Sequence, residues 1–306
     1  MTTPDLLPIS IIVHTRNSAQ TLSACLESLP AVRELLVVDM HSSDGTLLIA
    51  RQFHARTISV PDAGFVEPAR AGALEQASQP WILIVDADET LPSAARGWLA
   101  ELVQQPPAVY AVPRRNVMFG KPMEYTGWWP DYQVRFFAKG MVSWPATIHA
   151  QPSCAQKPVE LPADEAHALV HQNYQHIDQF IDRMNRYTTI EAQKSAPAQT
   201  SADGDAQGWL VVQIRELFSR LVSHEGWRDG DHGLALSLLQ SYYPLVSALK
   251  RWEGTGFSSS QDFSSNMARQ LDQLTRECAY WRAEYHVKNS SGLAQFYWKI
   301  RRKFQM

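Results

Sequence analysis

Trp81-Ile82-Leu83-Ile84-Val85-Asp86-Ala87-Asp88-Glu89 is the stretch on which the fold turns. Five apolar residues, three of them β-branched, run straight into three carboxylates. Such a run reads as a strand buried on both faces. Open α/β sheets bind ligands just outside the carboxyl ends of their strands. In an extended segment Asp86 and Asp88 point the same way. Paired carboxylates there can hold Mg2+ or Mn2+, which binds through one or two carboxylates plus substrate phosphates. The plainer reading is that Asp88 and Glu89 charge the start of a helix near Pro92. Asp-x-Asp alone does not decide between them.

The flanking sequence extends the strand reading in both directions. Ile9 to His14, Glu34 to Asp39 and Ala55 to Val60 read as strands. Helical segments follow each one. The first, capped by Asn17 or Ser18, carries Leu22, Cys25, Leu26 and Leu29 on one face. The second runs to about Phe53 from a cap at Ser43 or Asp44. The third spans Glu67 to Ala77, with Pro68 in its first turn. After the central strand come a helix over Ser93 to Gln104 and a strand over Val109 to Pro113. This βαβα order predicts an α/β fold with a mainly parallel, doubly wound sheet.

The chain has 306 residues, 45% hydrophobic and 19% charged, with a formal net charge of −3. These values are globular and argue against a general nucleic-acid binder. The cysteines, Cys25, Cys154 and Cys278, form neither a metal spacing nor a disulfide framework, which suits a reducing, cytoplasmic setting. Met1 to Pro8 carries no signal-peptide pattern, and no apolar run is long enough to span a membrane.

From Arg114 the texture changes. Asn116 to Pro130 reads as loop, Tyr132 to Ala138 as strand, and residues from about Ile177 as helical, interrupted by a polar loop over 193–207. Met267, Leu271, Leu274, Cys278, Trp281 and Tyr285 fall on heptad a and d positions. That seam can pair with another copy, giving a homo-oligomer, or lie on its own chain. Phe296, Tyr297, Trp298, Ile300 and Phe304 alternate with Lys299, Arg301, Arg302 and Lys303. This tail suits an anionic membrane surface, or is simply a solvated terminal helix.

A parallel sheet gathers the polar clusters at its strand ends along one edge: His14 to Asn17, Asp39 to Thr46, the region leading to Arg70, and Asp86 to Glu89. Asp39 can accept hydrogen bonds from a ribose or base. The Ser42-Ser43-Asp44-Gly45-Thr46 turn opens a helix whose amides and hydroxyls can meet a nucleotide. No Walker loop and no Gly-x-Gly-x-x-Gly is present, so neither an ATPase nor a dinucleotide enzyme is supported.

Val38-Asp39-Met40-His41-Ser42-Ser43-Asp44-Gly45-Thr46, followed by Val85-Asp86-Ala87-Asp88-Glu89, resembles the nucleotide-sugar domain of family 2 inverting glycosyltransferases, a Rossmann-like GT-A fold. Val112-Pro113-Arg114-Arg115-Asn116 and Gly127-Trp128-Trp129-Pro130-Asp131-Tyr132-Gln133-Val134-Arg135-Phe136-Phe137 resemble the subgroup of lipopolysaccharide-core β-glucosyltransferases. Asn185-Arg186-Tyr187 and Asp229-Gly230-Asp231-His232-Gly233 fit it too. The resemblance covers roughly residues 8 to 250.

It implies that Thr15, Asn17, Asp39, Ser42, Arg70 and Asp86 line the donor nucleotide. It implies that Asp88 meets Mg2+ or Mn2+ on the diphosphate, and that Asp131 is the general base. Arg135, Arg114 or Arg115 can meet the diphosphate. Trp128 and Trp129 can stack on the acceptor sugar, or fill the core. His149-Ala150 stands where a His-Glu pair is usual, so His149 is either a metal ligand or structural. Asn17 is not followed by an acidic residue, and Val66-Glu67-Pro68-Ala69 replaces a Gln-Lys-Asn pattern.

The expected organisation is a glycosyltransferase domain over 1–253, with a nucleotide-binding half at about 8–113 and an acceptor half at about 114–253. A linker (254–260) and a helical heptad segment with basic-aromatic tail (261–306) follow. The expected partners are a nucleotide sugar, such as UDP-glucose, and a lipopolysaccharide-core or lipid-linked saccharide. Two other readings stand beside this one. A sugar nucleotidyltransferase needs a glycine-rich phosphate loop after the first strand, and His14 to Ser18 has no glycine. A non-catalytic scaffold would use the seam and tail to organise an envelope complex.

Overall fold

A computed structural model of the protein describes residues 6–62, 64, 66–145, 151–194, 208–258 and 263–304. The chain divides into two compact units, one of residues 1–117 and 129–173, the other of 118–128 and 174–306.

The first unit is built on a mixed sheet. In chain order its elements are β1 (Leu7–Thr15), α1 (Leu22–Ser28), β2 (Val32–Asp39), α2 (Thr46–Gln52), β3 (Arg56–Ser59), α3 (Glu67–Gln76), β4 (Trp81–Asp86), β5 (Glu89–Thr90), α4 (Ala95–Leu102) and β6 (Val109–Met118). After the short β7 (Lys121–Pro122) of the other unit come β8 (Asp131–Ala138), β9 (Val142–Ser143), β10 (Ser153–Cys154), β11 (Val159–Glu160) and β12 (Leu169–Tyr174). The sheet runs β3-β2-β1-β4-β8-β6-β12-β5. Strands β3, β2, β1 and β4 are mutually parallel, and β8 lies antiparallel to both β4 and β6.

Alternation along the central strands builds two apolar layers. Ile9, Ile11 and Val13 of β1, with Leu83 and Val85 of β4, pack on one side with Leu22, Cys25 and Leu26 of α1 and Trp98 and Leu99 of α4. Ile12, Ile82 and Ile84 face the other side with Ala69 and Ala73 of α3. Both faces of β1 and β4 are therefore covered, which is why their sequences are continuously apolar. Each fully buried Ile or Leu here contributes roughly 1.5–3 kcal/mol. This is the α/β architecture that the Trp81 stretch predicts.

Two strands depart from the sequence reading. β6 continues past Pro113 through Asn116 to Met118, where a loop was expected. Its register against β8 pairs Arg114 with Asp131, and their opposite charges support the extension. β12 was not expected at all. Its inward residues Leu169, His171 and Asn173 alternate with less buried Val170 and Gln172, a period-2 pattern masked by polar side chains.

The second unit is largely helical: α5 (Ile177–Lys194), α6 (Trp209–Phe218), α7 (Asp231–Gly254), α8 (Phe263–Asn289) and α9 (Gly292–Phe304). The polar loop expected at 193–207 and the end of the expected linker lie mostly outside the described residues. The heptad seam on α8 splits. Trp281 is buried, as are Gln270, Ala283 and Val287, whereas Leu271, Cys278 and Tyr285 are exposed. Among the described residues no helix is long and apolar enough to cross a membrane.

Candidate active site

The parallel register places the predicted strand ends side by side. Thr15 is opposite Asp39 across β1 and β2, and His14 is opposite Asp86 across β1 and β4. The loops beyond them are stitched together. Ser42 Oγ accepts from the Asn17 amide at 2.8 Å, and Asn17 Oδ1 accepts from the Ser43 amide at 2.8 Å. Asn17 adopts a left-handed backbone (φ 49°), a conformation asparagine tolerates. Asn17 and Ser42 therefore shape the edge of the crevice by binding each other's loops.

Thr15 and Asp39 are both buried. Asp39 Oδ2 accepts from the Ser42 amide at 3.1 Å, but among the described residues Asp39 Oδ1 and Thr15 Oγ1 have no hydrogen-bond partner. A buried polar atom without a partner costs about 1–3 kcal/mol. An unsatisfied carboxylate oxygen beside an unsatisfied hydroxyl fits a ligand that brings its own donors, as a ribose or a base does.

Beneath the end of β4 lies a chain of alternating charges. Arg70 Nη2 donates to Asp86 Oδ1 and Oδ2 at 2.9 and 3.0 Å. Arg135 Nη2 donates to Asp86 Oδ2 and to Glu89 Oε1, both at 2.6 Å. Arg114 links Glu89 Oε1 at 3.3 Å to Asp131 Oδ2 at 2.6 Å. Glu89, read in sequence as a helix-start charge, is fully buried at 0% exposure, and Arg135 is 2% exposed. The structure thus commits Arg135 to these two carboxylates, under the crevice floor. Burial pushes the Asp86 carboxyl up, but Arg135 and Arg70 overcome it and hold it well below the usual carboxylate range. Burial next to Arg70 lowers the His14 imidazole to about 3, so His14 is neutral.

Asp131 opens β8. Its Oδ2 accepts from Arg114 and from Asn116 Nδ2 at 3.0 Å; its Oδ1 accepts from Gln133 Nε2 at 2.6 Å. Burial raises its carboxyl, but Arg114 and these hydrogen bonds outweigh that and hold it below its usual range. Asn116 continues the network. Its Oδ1 is 2.7 Å from His171 Nδ1, and His171 Nε2 is 3.3 Å from Asp88 Oδ2. Asp131 and Asp88 are therefore connected through Asn116, quoted in sequence only as part of a motif, and His171, which sequence reading passed over. The Asn116 amide donates to Asp131, so its oxygen takes the Nδ1 proton of His171. Nε2 is thereby turned toward Asp88.

Asp88 is 33% exposed in the turn between β4 and β5. Among the described residues no group of three His, Cys, Asp or Glu side chains is placed to hold a metal unaided. One part-exposed carboxylate still fits a Mg2+-type site that is completed by substrate phosphates and water. His149, the other expected ligand, lies outside the described residues.

Of the two expected acceptor tryptophans, Trp129 belongs to the sheet unit, where the Arg115 guanidinium sits 6.0 Å from its ring. Trp128 belongs to the helical unit and packs on the cluster of Met118, Met123, Tyr174, Phe180 and Leu236. The loop before it is fastened by Asp229. That buried carboxylate accepts from the amides of Glu124 and Tyr125 at 3.2 and 3.0 Å and from Thr126 Oγ1 at 2.8 Å. Gly233 leaves no space for a side chain: a Cβ would lie 1.8 Å from the Gly226 carbonyl oxygen. The Asp-Gly-Asp-His-Gly motif thus has a positioning role in this unit.

Residues 10–156 match the family model for glycosyl transferase family 2. The lipopolysaccharide core biosynthesis glycosyltransferase LpsC of Rhizobium meliloti is 26% identical over 267 residues, which cover 81% of this chain and 93% of that protein. Staphylococcus aureus TarS aligns with 79% of this chain and 54% of its own, at 16% identity and a TM-score of 0.39. The glucosyl-3-phosphoglycerate synthase of Mycobacterium tuberculosis, solved with Mn2+, UDP and glucosyl-3-phosphoglycerate, aligns at 23% identity and a TM-score of 0.31. That alignment covers 36% of this chain and 44% of the synthase, so this chain spans less than half of its length. Just under half of this chain, residues 10–156, is thus similar to the family 2 glycosyl transferases.

Proposed function

We propose that this protein is an inverting, divalent-metal-dependent hexosyltransferase. It takes the sugar from a nucleotide sugar, UDP-glucose or a near relative, and passes it to a lipopolysaccharide-core or lipid-linked saccharide. The observation that carries this reading is the strand-end arrangement. Among the described residues Asp39 Oδ1 and Thr15 Oγ1 lack partners, on the same sheet edge as Asp88, which supports a nucleoside binding there. The similarity to LpsC supports the acceptor class.

In this mechanism Asp39 and Thr15 bind the nucleoside, and Arg70 and Arg135 fix Asp86 beside it. Asp88 would hold the metal, with His171 oriented next to it by Asn116, and a divalent ion held there would supply positive charge for the leaving diphosphate. Asp131 is the general base. Among the described residues its Oδ1 accepts from Gln133 alone, so that oxygen is the one assigned to the acceptor hydroxyl. The hydroxyl oxygen attacks the anomeric carbon in line, its proton passes to Asp131, and the bond to the nucleoside diphosphate breaks with inversion. A cytoplasmic enzyme at the inner membrane face is the setting this implies.

Transfer with purified protein, UDP-sugars and truncated core oligosaccharide tests the reading. Asp131→Asn is expected to keep donor binding and lose about 10²–10⁴-fold in kcat, the usual worth of a general base. Unchanged turnover would remove Asp131 from that role. Retained anomeric configuration in the product would reject the inverting mechanism.

A further inference from the structure

The helical unit ends in α9, whose two faces differ sharply. One face packs on α8. Trp298 stacks on His286 with ring centroids 4.1 Å apart, Arg302 pairs with Glu284, and Gln295 Nε2 donates to the Val287 carbonyl at 3.0 Å. At 3.6 residues per turn, residues 295, 298 and 302 share one side of the helix. Leu293, Phe296, Tyr297, Ile300 and Phe304 share the other, within an arc of roughly 100°. All five are exposed, between 41% and 89%. Aromatic and aliphatic side chains rarely line up in this way on a surface that stays in water.

The charges around the stripe say what covers it. Lys299 and Lys303 flank it on one side and Arg301 on the other, and α9 contains no Asp or Glu. A protein partner or a second copy would have to neutralise that cationic border. An anionic bilayer does so at every position. Its headgroups meet the lysines and arginine while the stripe enters the acyl boundary. Long basic side chains beside a buried apolar face can extend outward to the headgroups.

We propose that α9 is an in-plane anchor that docks the protein on anionic phospholipid. Trp298 and Arg302 act as the hinge pins that hold the helix on α8 with its apolar stripe outward. This reverses one part of the sequence expectation: Trp298 faces inward, and Leu293 takes its place on the stripe. The inference stands on α9 and α8 alone, independently of the donor site.

The test is vesicle co-sedimentation of the full chain, with phosphatidylcholine vesicles against vesicles containing about a third phosphatidylglycerol. Binding is expected only to the anionic vesicles, and should fall in high salt. Phe296→Ser with Ile300→Ser should weaken it at least about tenfold, since each side chain loses its buried apolar area. Lys299→Glu with Lys303→Glu should weaken it similarly, at about fivefold per basic residue removed. Sedimentation velocity on the same variants reads the competing occupant. Failure of the wild type to bind anionic vesicles would overturn the proposal. So would binding unaffected by either pair, or a Phe296/Ile300 variant that turns a dimer into a monomer while vesicle binding is retained.

Discussion

One guanidinium nitrogen of Arg135 donates to Asp86 Oδ2 and Glu89 Oε1 at the same distance, 2.6 Å. A buried cation thereby joins the last residue of β4 to the first residue of β5. The crevice carboxylates around Asp88 hang on this junction. Arg135 and Glu89, 2% and 0% exposed, hold that junction from inside the protein.

Arg135→Met should therefore damage the fold as well as the site. It leaves Glu89 to Arg114 alone and Asp86 to Arg70 alone, and breaking a buried pair from one side costs about 3–5 kcal/mol. Urea unfolding should show that loss, with little change in the m-value. A loss below about 1 kcal/mol would mean that the junction is not structural.

His14 gives a pH signature. Its imidazole is held to about 3 in the folded chain, against an ordinary value near 6.5. The unfolded chain therefore binds the extra proton first as pH falls. Stability should be full above pH 6.5 and decline below it, by up to about 1.4 kcal/mol per pH unit from this residue alone. Between pH 6.5 and about 4.5 most carboxylates have not yet titrated. His14→Gln should flatten the stability profile in that window, read by denaturant titration at each pH. An unchanged slope would show that His14 is not buried as a neutral base.

Asp131 should remain ionised through the mildly acidic range, because Arg114 and its hydrogen bonds lower its carboxyl. The acid limb of kcat assigned to it is expected below about pH 4. Arg114→Gln should move that limb upward, since the largest force lowering it is gone. A limb that stays in place in the variant would detach Asp131 from the observed ionisation.

Asp39→Asn should cut nucleoside affinity by about 10- to 100-fold, a charged hydrogen bond being worth about 1.5–3 kcal/mol. Thermal stability should change little, because only one of its oxygens has a partner in the protein. Calorimetry with UDP reads the first effect and melting curves the second. Equal binding by wild type and variant would take the nucleoside away from Asp39.

The sheet was legible because its signals are local. An apolar run between turn residues defines β4, and the strand-helix alternation from Ile9 to Pro113 fixes the order. The places of Asp39 and Asp86 were legible because they end such strands, and Asp88 follows in the turn after β4. What joins them was not. Arg114 meets Asp131 through strand register, and His171 meets Asp88 from a strand whose polar residues hide its alternation. Pairings between residues distant in sequence leave no local pattern. For the same reason the α8 seam misled in part. Heptad spacing marks an apolar stripe, but packing within the chain buries Trp281 and leaves Leu271 in solvent.

The most direct measurement is binding of nucleotide sugars to the wild type and to Asp88→Asn, each with Mn2+ and with EDTA, read as a shift in Tm. The wild type should be stabilised by a UDP-sugar with Mn2+ and not with EDTA, and Asp88→Asn should lose that difference. Stabilisation that ignores both the metal and the substitution, or none with any nucleotide sugar, would contradict a metal-assisted donor site at the end of β4.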